Sequence, residues 1–363
     1  MNHKPVRVAV TGGHHTPAFA VIAALKDRGN FSFYWVGWAT QAEYRAVKKL
    51  GIPFFGLRAG KLYRIFTLKE LMKIPFGFFH AFYLLIKIRP RLILSFGGYL
   101  AAPVVLAGFL LRIPAVTHEQ TVVSGWANRF ISFFARKIFV SWERSLRFFP
   151  KTKTALTGNP VRRAIFEART NRFRFPERLP TIYVTGGKQG AHVINEAVRE
   201  ALSEFLSRYN VIHQTGSSEF YRDYQKILVL RGQLPRKLAR RYFVQEYFGE
   251  DEVGAVFKAA DLVVARAGAN TVAELAALGK PAIFIPIPWA SHNEQMENAK
   301  LLEGVGSAVI LPQEKLSPST LLKEVEKMVG DLKRYQEKGG EAKKLIDLSA
   351  AAKIADEIVR MTS

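Results

Sequence analysis

Three short apolar runs in this sequence each end beside a pair of glycines. The runs span residues 6–10, 92–95 and 181–185, and the glycine pairs are Gly12–Gly13, Gly97–Gly98 and Gly186–Gly187. Runs of this length are typical of buried strands, and helical patterns lie between them. Strands that alternate with helices predict a parallel sheet covered by helices, which is an α/β fold.

The same pattern starts again in the second half of the chain. Further strands are expected at residues 31–37, 115–118, 138–141, 211–214, 243–245, 262–265 and 282–285, and helices at 17–28, 191–208 and 341–362. A chain of 363 residues is long enough for two domains. We therefore predict two Rossmann-like lobes with parallel sheets, at residues 1–161 and 162–344. The C-terminal helix, residues 345–363, is expected to pack back on the first lobe.

The chain carries a large positive charge. Lysine and arginine number 53 against 30 aspartates and glutamates, which gives a net charge of +23. Such an excess favours a polyanionic partner, such as an anionic lipid surface or a phosphorylated substrate, although a solvated basic surface would look the same. We expect no nucleic-acid partner, because no recognised basic-aromatic module is present. Cysteine is absent, which excludes disulfides and cysteine-based zinc sites.

An aromatic segment at residues 71–89 suggests contact with a membrane surface. No run reaches the ~18 apolar residues that a spanning helix needs, and no apolar signal stretch precedes the first strand. The segment nevertheless concentrates aromatic rings between the cations Lys73, Lys87 and Arg89; the rings are those of Phe76, Phe78, Phe79, Phe82 and Tyr83. This composition favours an interfacial contact with anionic lipid, and a buried core helix is the alternative. We expect a peripheral protein at the cytoplasmic face of the cell membrane.

The glycine turns are candidate phosphate sites. A turn between a strand and a helix presents backbone N–H groups and the positive end of the helix dipole, and glycine lets a phosphate approach closely. In α/β folds ligands bind at the carboxyl ends of strands, where all three turns are expected. None of the turns is a Walker A loop or completes GxGxxG, which disfavours ATPases and dehydrogenases. Lys188 lies in the third turn and either pairs with a diphosphate or faces solvent.

Three further features carry candidate chemistry. His14 follows the first turn and is either a general base, a helix cap or a phosphate contact. Glu274 either accepts hydrogen bonds from a ribose diol or closes a capping box with Thr271. The polar run 292–298 follows a strand and is placed to bind a sugar or to form a solvated loop. The sequence contains no D-x-D motif, so we expect no metal or other cofactor to be required.

The order of the motifs resembles the MurG family of bacterial glycosyltransferases over nearly the whole chain. The shared motifs are TGGH at Thr11, GGY at Gly97, HEQ at His118, GNPVR at Gly158, GGKQGA at Gly186, HQTG at His213, RAGANTVAE at Arg266 and NEQMENA at Asn293. The resemblance implies a GT-B fold and an inverting transfer of N-acetylglucosamine from UDP-N-acetylglucosamine to undecaprenyl-diphosphate-muramoyl-pentapeptide. It also implies an active site in the cleft between the lobes.

The resemblance assigns residues to each substrate. On the acceptor side, it implies catalytic roles for His14 and Glu119 and binding by Thr11, Gly12, Gly13, Gly97, Gly98 and Tyr99. On the donor side, it implies Arg162, Gly186, Gly187, Lys188, Gly190, Phe248 (through its backbone, towards the uracil), Glu274, Glu294 and Gln295. The partners implied are UDP-N-acetylglucosamine and a polyprenyl-diphosphate-linked acceptor.

The sequence departs from the family pattern at five positions. Ala9 and Val10 stand where glycines are usual, Lys188 replaces a serine, Thr121 an asparagine and Glu294 a glutamine. These changes leave open a related transferase with another lipid acceptor, or a non-catalytic protein that binds a lipid diphosphate or a nucleotide sugar. A UDP-sugar 2-epimerase is a further alternative, but its soluble substrate would not require the aromatic segment.

Overall fold

The computed structural model describes residues 4–38, 41–57 and 68–362, except the side chains of residues 41, 42 and 68–74. The chain divides into two compact units. The first comprises Met1–Arg162 and Asp347–Ser363, and the second comprises Arg163–Ile346. Each unit contains a parallel sheet flanked by helices. The prediction of an α/β fold with two parallel sheets is therefore confirmed.

The first unit is built on a seven-stranded sheet in the order β3-β2-β1-β4-β5-β6-β7. Its strands are β1 Val6–Thr11, β2 Phe31–Gly37, β3 Phe54–Gly56, β4 Leu92–Ser95, β5 Ala115–Glu119, β6 Lys137–Val140 and β7 Thr154–Leu156. The strand order reverses direction between β1 and β4, which lie side by side. This switch point brings the first two glycine turns to the same edge of the sheet.

Helices cover both faces of this sheet. They are α1 His15–Lys26, α2 Gln41–Lys48, α3 Leu68–Ile88, α4 Ala101–Leu110, α5 Trp126–Phe134 and α15 Ala350–Thr362. On one face, Ile354 and Ile358 of α15 join Val21 and Leu25 of α1 in a single buried cluster with the strands. On the other face, α3, α4 and α5 share a second cluster. The last helix is thus part of the core of the first unit.

The second unit has a six-stranded parallel sheet in the order β10-β9-β8-β11-β12-β13. Its strands are β8 Thr181–Thr185, β9 Asn210–Gln214, β10 Tyr242–Gln245, β11 Leu262–Ala265, β12 Ala282–Phe284 and β13 Ala308–Ile310. Its helices are α6 His192–Glu200, α7 Leu202–Arg208, α8 Asp223–Gln233, α9 Arg236–Ala239, α10 Val253–Ala259, α11 Ala269–Leu278, α12 Glu294–Gly304, α13 Pro318–Gly330 and α14 Leu332–Lys344. The switch point here lies between β8 and β11, and the third glycine turn follows β8.

Several elements differ from the sequence prediction. The single helix predicted at 191–208 is two helices that meet at Ala201, and the one predicted at 341–362 is the end of α14 followed by α15. The short strands β3, β7 and β13 were not predicted. Each of them has three residues, too few for a periodic pattern.

Candidate active site

The first two glycine turns contact each other in the first unit. The amide of Gly13 donates to the carbonyl of Gly97 at 3.4 Å. Gly12 has φ +130°, and a Cβ there would lie 2.8 Å from the carbonyl carbon of Phe96. A side chain at Gly12 is therefore excluded both by its conformation and by the neighbouring backbone. The structure thus brings together Thr11, Gly12, Gly13, Gly97, Gly98 and Tyr99, as the sequence predicted.

The amides of these turns are less available to a phosphate than predicted. The Gly97 amide donates to Oγ of Ser95 at 3.1 Å, and the Gly98 amide donates to Oδ1 of Asn128 at 3.2 Å. With the Gly13 amide, three of the expected donors are already paired within the protein. At the start of α1 the N-cap residue, His14, makes no side-chain capping hydrogen bond. The amides of His15 and Thr16 are therefore candidate donors, whereas Pro17 has no N–H.

The surroundings of His14 favour its neutral form. The side chain is half-buried at the sheet edge, and its missing capping bond argues against the helix-cap interpretation. Desolvation by the surrounding protein, and secondly the nearby His15, lower the pKa of His14 to about 4. The imidazole is therefore neutral at neutral pH and able to accept a proton.

The carboxylate of Glu119 accepts hydrogen bonds from the loop and helix that follow β5. It is 2% exposed. Its Oε1 accepts from the amide and hydroxyl of Thr121 at 3.0 and 2.8 Å, and its Oε2 accepts from Nδ2 of Asn128 at 2.9 Å. Burial raises the pKa of Glu119, although these hydrogen bonds oppose the shift. The geometry thus argues against the catalytic role predicted for Glu119: its carboxylate is enclosed, and through Asn128 it orients Gly98.

The third glycine turn is fixed against the loop after β9 in the second unit. A Cβ on Gly190, which has φ +83°, would lie 2.0 Å from the carbonyl oxygen of Thr215. Nε2 of Gln214 donates to Oγ1 of Thr185 at 2.9 Å and to the carbonyl of Gly187 at 3.1 Å. Gln214 therefore ties this turn to the end of β9, a role that the sequence analysis missed although Gln214 lies in the HQTG motif.

Gln214 also reaches the residue predicted to meet the uracil. Its Oε1 accepts from the amide of Phe248 at 3.0 Å, and the Phe248 ring is buried against Phe173 and Tyr183. Because the amide is engaged, the carbonyl is the backbone group of Phe248 that can face a base. The amide side chain of Gln214 thereby links the third glycine turn to the Phe248 loop.

Lys188 lies beside the start of α6. Lys188 is half-buried. Its carbonyl accepts from the amide of Ser217 at 3.1 Å, which fixes the turn. The N-cap of α6, Ala191, makes no side-chain capping bond. A cation and an uncapped helix N-terminus at the same edge can hold a diphosphate.

The capping-box interpretation of Glu274 is wrong. Helix α11 begins at Ala269 with Gly268 as its N-cap, so Thr271 is inside the helix and makes no cap. Glu274 is 6% exposed, one turn further along. Arg266, which precedes α11, donates to the carbonyl of Ile285 at 2.8 Å, and burial lowers its pKa to about 10. Arg266 thus joins the ends of β11 and β12.

The polar run after β12 forms a strained turn and the first part of α12. His292 and Asn293 have φ of +52° and +55°, a conformation that costs free energy and is common at functional sites. Glu294 begins the helix, and Oε1 of Gln295 accepts from the amide of Ile287 at 3.2 Å. The two predicted sugar contacts therefore lie at the same sheet edge as the third turn.

A buried chain of hydrogen bonds supports α6 and was not predicted. Nδ1 of His192 lies 2.8 Å from Asp223, whose other oxygen accepts from Asn195 at 2.7 Å; Asn195 in turn contacts His213 at 3.0 Å. Burial lowers the pKa of His213 to about 3, so this ring is neutral. His192, Asp223 and Glu196 offer metal-ligand atoms within 4.8 Å of one another. That no metal is required stays a prediction.

The aromatic residues of α3 divide between two environments. Phe76, Phe79 and Tyr83 are exposed by 55%, 67% and 58%, whereas Phe78 and Phe82 pack against the buried cluster of the first unit. Phe78 and Phe82 are thus half-buried, and the membrane contact predicted for the five rings stays a prediction. Lys73 was predicted to be a cation beside these rings, but its side chain lies outside the described residues. Within the described part of the chain, no helix is long and apolar enough to cross a membrane.

We predict that Glu119→Gln lowers the free energy of unfolding by about 1–3 kcal/mol, because the new amide would present N–H groups to those of Asn128. Adding Asn128→Asp should recover most of this loss, since the new carboxylate can accept from that amide and from Gly98 together. Urea unfolding of the wild type, both single variants and the double variant gives the four free energies of this double-mutant cycle. Additive losses would show that the two side chains do not act as a pair.

Comparison with known proteins identifies the family. The model of the glycosyltransferase family 28 N-terminal domain matches residues 9–140, and that of the C-terminal domain matches residues 181–358. Two relatives, from Lachnoclostridium phytofermentans and Bacillus cereus, are each named UDP-N-acetylglucosamine–N-acetylmuramyl-(pentapeptide) pyrophosphoryl-undecaprenol N-acetylglucosamine transferase, the second with the suffix 2. They are 36% and 33% identical, over 91% and 90% of this chain and 93% and 91% of their own.

Solved structures agree with this assignment. The crystal structure of Acinetobacter baumannii MurG is 26% identical and superposes with a TM-score of 0.70 over 98% of this chain and 100% of its own. A UDP-N-acetylglucosamine 2-epimerase from Neisseria meningitidis, 14% identical with a TM-score of 0.64 over 98% of both chains, shares the fold alone. Since both family models and the relatives span most of its length, the chain belongs to glycosyltransferase family 28.

Proposed function

We propose that this protein is an inverting glycosyltransferase of peptidoglycan synthesis. It moves N-acetylglucosamine from UDP-N-acetylglucosamine to undecaprenyl-diphosphate-linked muramoyl-pentapeptide. The relatives that match nine-tenths of the chain are named for this reaction. The observation that carries the proposal is the edge of the second sheet, where Lys188, the start of α6, Phe248, Glu274 and Gln295 follow neighbouring strands.

The second unit supplies the donor site in this proposal. Lys188 and the uncapped start of α6 stabilise the diphosphate as UDP leaves. Arg162, the last residue of the first unit before the chain enters the second, is the further cation that the resemblance assigns to the donor. The carbonyl of Phe248 faces the uracil, and Glu274 accepts hydrogen bonds from the ribose diol. Glu294 and Gln295 bind the sugar; a carboxylate at Glu294 accepts hydrogen bonds from hydroxyls but cannot donate as an amide does.

The first unit supplies the acceptor site and the base. The acceptor hydroxyl attacks the anomeric carbon of the donor sugar, its proton passes to the neutral imidazole of His14, and UDP departs from the opposite face. One C–O bond forms and one breaks, so the configuration at the anomeric carbon inverts. The start of α1 receives the acceptor diphosphate, without a metal ion, and the Gly12–Gly13 and Gly97–Gly98 turns allow it to approach the backbone closely.

A membrane surface is part of the same proposal. An acceptor carried on a polyprenyl chain resides in a bilayer, so the enzyme must work at its surface. Three exposed rings of α3, Phe76, Phe79 and Tyr83, lie on a helix followed by the exposed cations Lys87 and Arg89. Residues 71–118 contain no aspartate or glutamate. Apolar rings with unopposed positive charge favour the anionic, cytoplasmic face of the cell membrane.

Turnover and donor binding test the proposed reaction. The wild type is expected to release UDP only when UDP-N-acetylglucosamine and lipid-linked muramoyl-pentapeptide are both present, in a screen of UDP-sugars against lipid acceptors. Glu274→Ala should raise the Kd of UDP-N-acetylglucosamine about 10- to 100-fold, because hydrogen bonds to a carboxylate are lost. Calorimetry measures the Kd, with Glu200→Ala, an exposed glutamate of the same unit, as control. Folded wild type that binds no UDP-sugar would refute the proposal.

The pH profile of the reaction tests His14. With a pKa near 4, His14 stays neutral on acidification, so kcat/KM should be level from pH 8 down to about pH 5, whereas an ordinary histidine would lose activity from about pH 6.5. His14→Gln should lower kcat about 100-fold, since an amide cannot take the proton. The KM for the donor should change little. A kcat near that of the wild type in this variant would exclude His14 as the base.

Vesicle co-sedimentation tests the membrane surface. Replacing Phe76, Phe79 and Tyr83 together by serine should reduce binding to vesicles that contain phosphatidylglycerol at least about tenfold, because the apolar area of three rings is lost. Binding of the wild type should fall as salt rises. Phe220→Ser, at the most exposed phenylalanine of the second unit, is the matched control. Equal binding to neutral vesicles, or equal loss in the control, would argue against this surface.

A further inference from the structure

We propose that the first unit carries an apolar track that binds the isoprenoid chain of a polyprenyl-diphosphate acceptor. The track begins at Tyr99, passes over Trp38 and ends in an aromatic cavity beside α3. It rests on the proposed function, because the acceptor diphosphate would be held at the adjacent glycine turns. It adds to that function a site for the first isoprene units within the protein, lined in part by the same rings of α3 that face the bilayer in the proposed function.

The track starts at the switch point of the sheet. Tyr99 directly follows the Gly97–Gly98 turn after β4, and Trp38 directly follows β2. Their rings meet edge to face, with centroids 5.7 Å apart and planes at 83°. Because β1 lies between β2 and β4, this contact crosses the end of β1, where the Gly12–Gly13 turn begins. An aromatic pair therefore borders both glycine turns.

The pair lies on the same face of the sheet as α3. Tyr34, Val36 and Tyr99 all belong to the cluster formed with α3 and α4. Side chains alternate along a strand, so Trp38 continues the series of Tyr34 and Val36, and its contact with Tyr99 agrees with this. Trp38 remains 37% exposed. The pair thus presents aromatic surface to a ligand on the side of the sheet where the aromatic face of α3 lies.

A cavity lies on the neighbouring strand and α3. It has a volume of about 510 Å³ and is lined by Gly56, Phe76, Phe79, His80 and Tyr83. Gly56 of β3 pairs in register with Gly37 of β2, and Trp38 is the next residue. The cavity therefore begins on the strand next to β2, opposite the residue that precedes Trp38. Its volume is within the ~300–1,000 Å³ range of small-ligand sites.

The chemistry of the track favours an anionic amphiphile with a branched apolar chain. Its walls are glycine backbone and aromatic rings, which offer dispersion contacts to a chain; the imidazole of His80 is the polar ring among the residues that line the cavity. At its beginning lie the glycine turns and the uncapped start of α1, which receive negative charge. The exposed cations Lys87 and Arg89 end the helix that lines the cavity. An isoprenoid diphosphate combines the charged head and the apolar chain that these two ends require.

Binding of soluble isoprenoid diphosphates, without vesicles, tests the track. Calorimetry with isopentenyl, geranyl and geranylgeranyl diphosphate varies the chain from five to twenty carbons at a constant head group. Wild-type affinity should rise at least about tenfold over this series, since each buried methylene contributes. In Trp38→Ala and Phe79→Ser, affinity should increase much less with chain length. Both variants should bind isopentenyl diphosphate with the affinity of the wild type. Phe133→Ala, at an exposed phenylalanine of α5 outside the track, should match the wild type.

The outcomes separate this proposal from the function on which it rests. Affinity that is independent of chain length in the wild type, or that rises equally in Trp38→Ala, would overturn the track while leaving turnover with the lipid-linked acceptor intact. An equal gain from n-alkyl diphosphates of the same carbon number would assign the surface to acyl chains and contradict the proposal. Absence of turnover in the wild type would refute the proposed function itself. Circular dichroism of each variant verifies that it is folded.

Discussion

The third glycine turn depends on a close backbone contact between Gly190 and the Thr215–Gly216 segment, where no side chain fits. A Cβ on Gly190 would lie 2.0 Å from the carbonyl of Thr215, and one on Gly216 would lie 2.0 Å from the Gly190 amide. The turn after β8 and the loop after β9 can therefore touch only as two glycines. Once they touch, Gln214 reaches both Gly187 and Phe248, and Lys188 is fixed by Ser217. The proposed diphosphate and uracil contacts all follow from this approach.

In the first sheet the glycine turns are held by a buried side chain, whereas in the second sheet the third turn is held by direct backbone contact. Asn128 occupies the space above Gly97 and binds the Gly98 amide, while Glu119 orients Asn128. A buried carboxylate is stable only when its hydrogen-bonding capacity is used, and Glu119 uses it inside the loop. The two sheets thus position their glycine turns by different means. His14, in contrast, is left with a neutral ring and no capping duty, as a proton acceptor requires.

The sequence was sufficient for the fold class, the two sheets and the three strand-to-glycine turns, because periodicity and glycine pairs are local signals. It was insufficient where partners are distant in sequence. Asn128 lies thirty residues from Gly98, and Gln214 lies 27, 29 and 34 residues from its three partners. No local sequence pattern therefore predicts these contacts. The Thr271–Glu274 error arose because spacing alone cannot show that Gly268, with its extended backbone, already caps the helix. Phe78 and Phe82 pack against the buried cluster of the first unit, and their helical spacing already separates them from Phe76, Phe79 and Tyr83.

The position of α15 has a consequence for the order in which the chain can fold. The chain leaves the first unit after Arg162 and returns to it at Asp347, where a Cβ on Gly158 would lie 3.2 Å from that of Asp347. The second unit is therefore an insertion within the first. During synthesis on the ribosome the insertion can complete its own sheet, while the first unit still lacks Ile354 and Ile358 from its core. The first unit is therefore completed only after the second has been synthesised, so the apolar face that receives α15 remains open until that helix emerges.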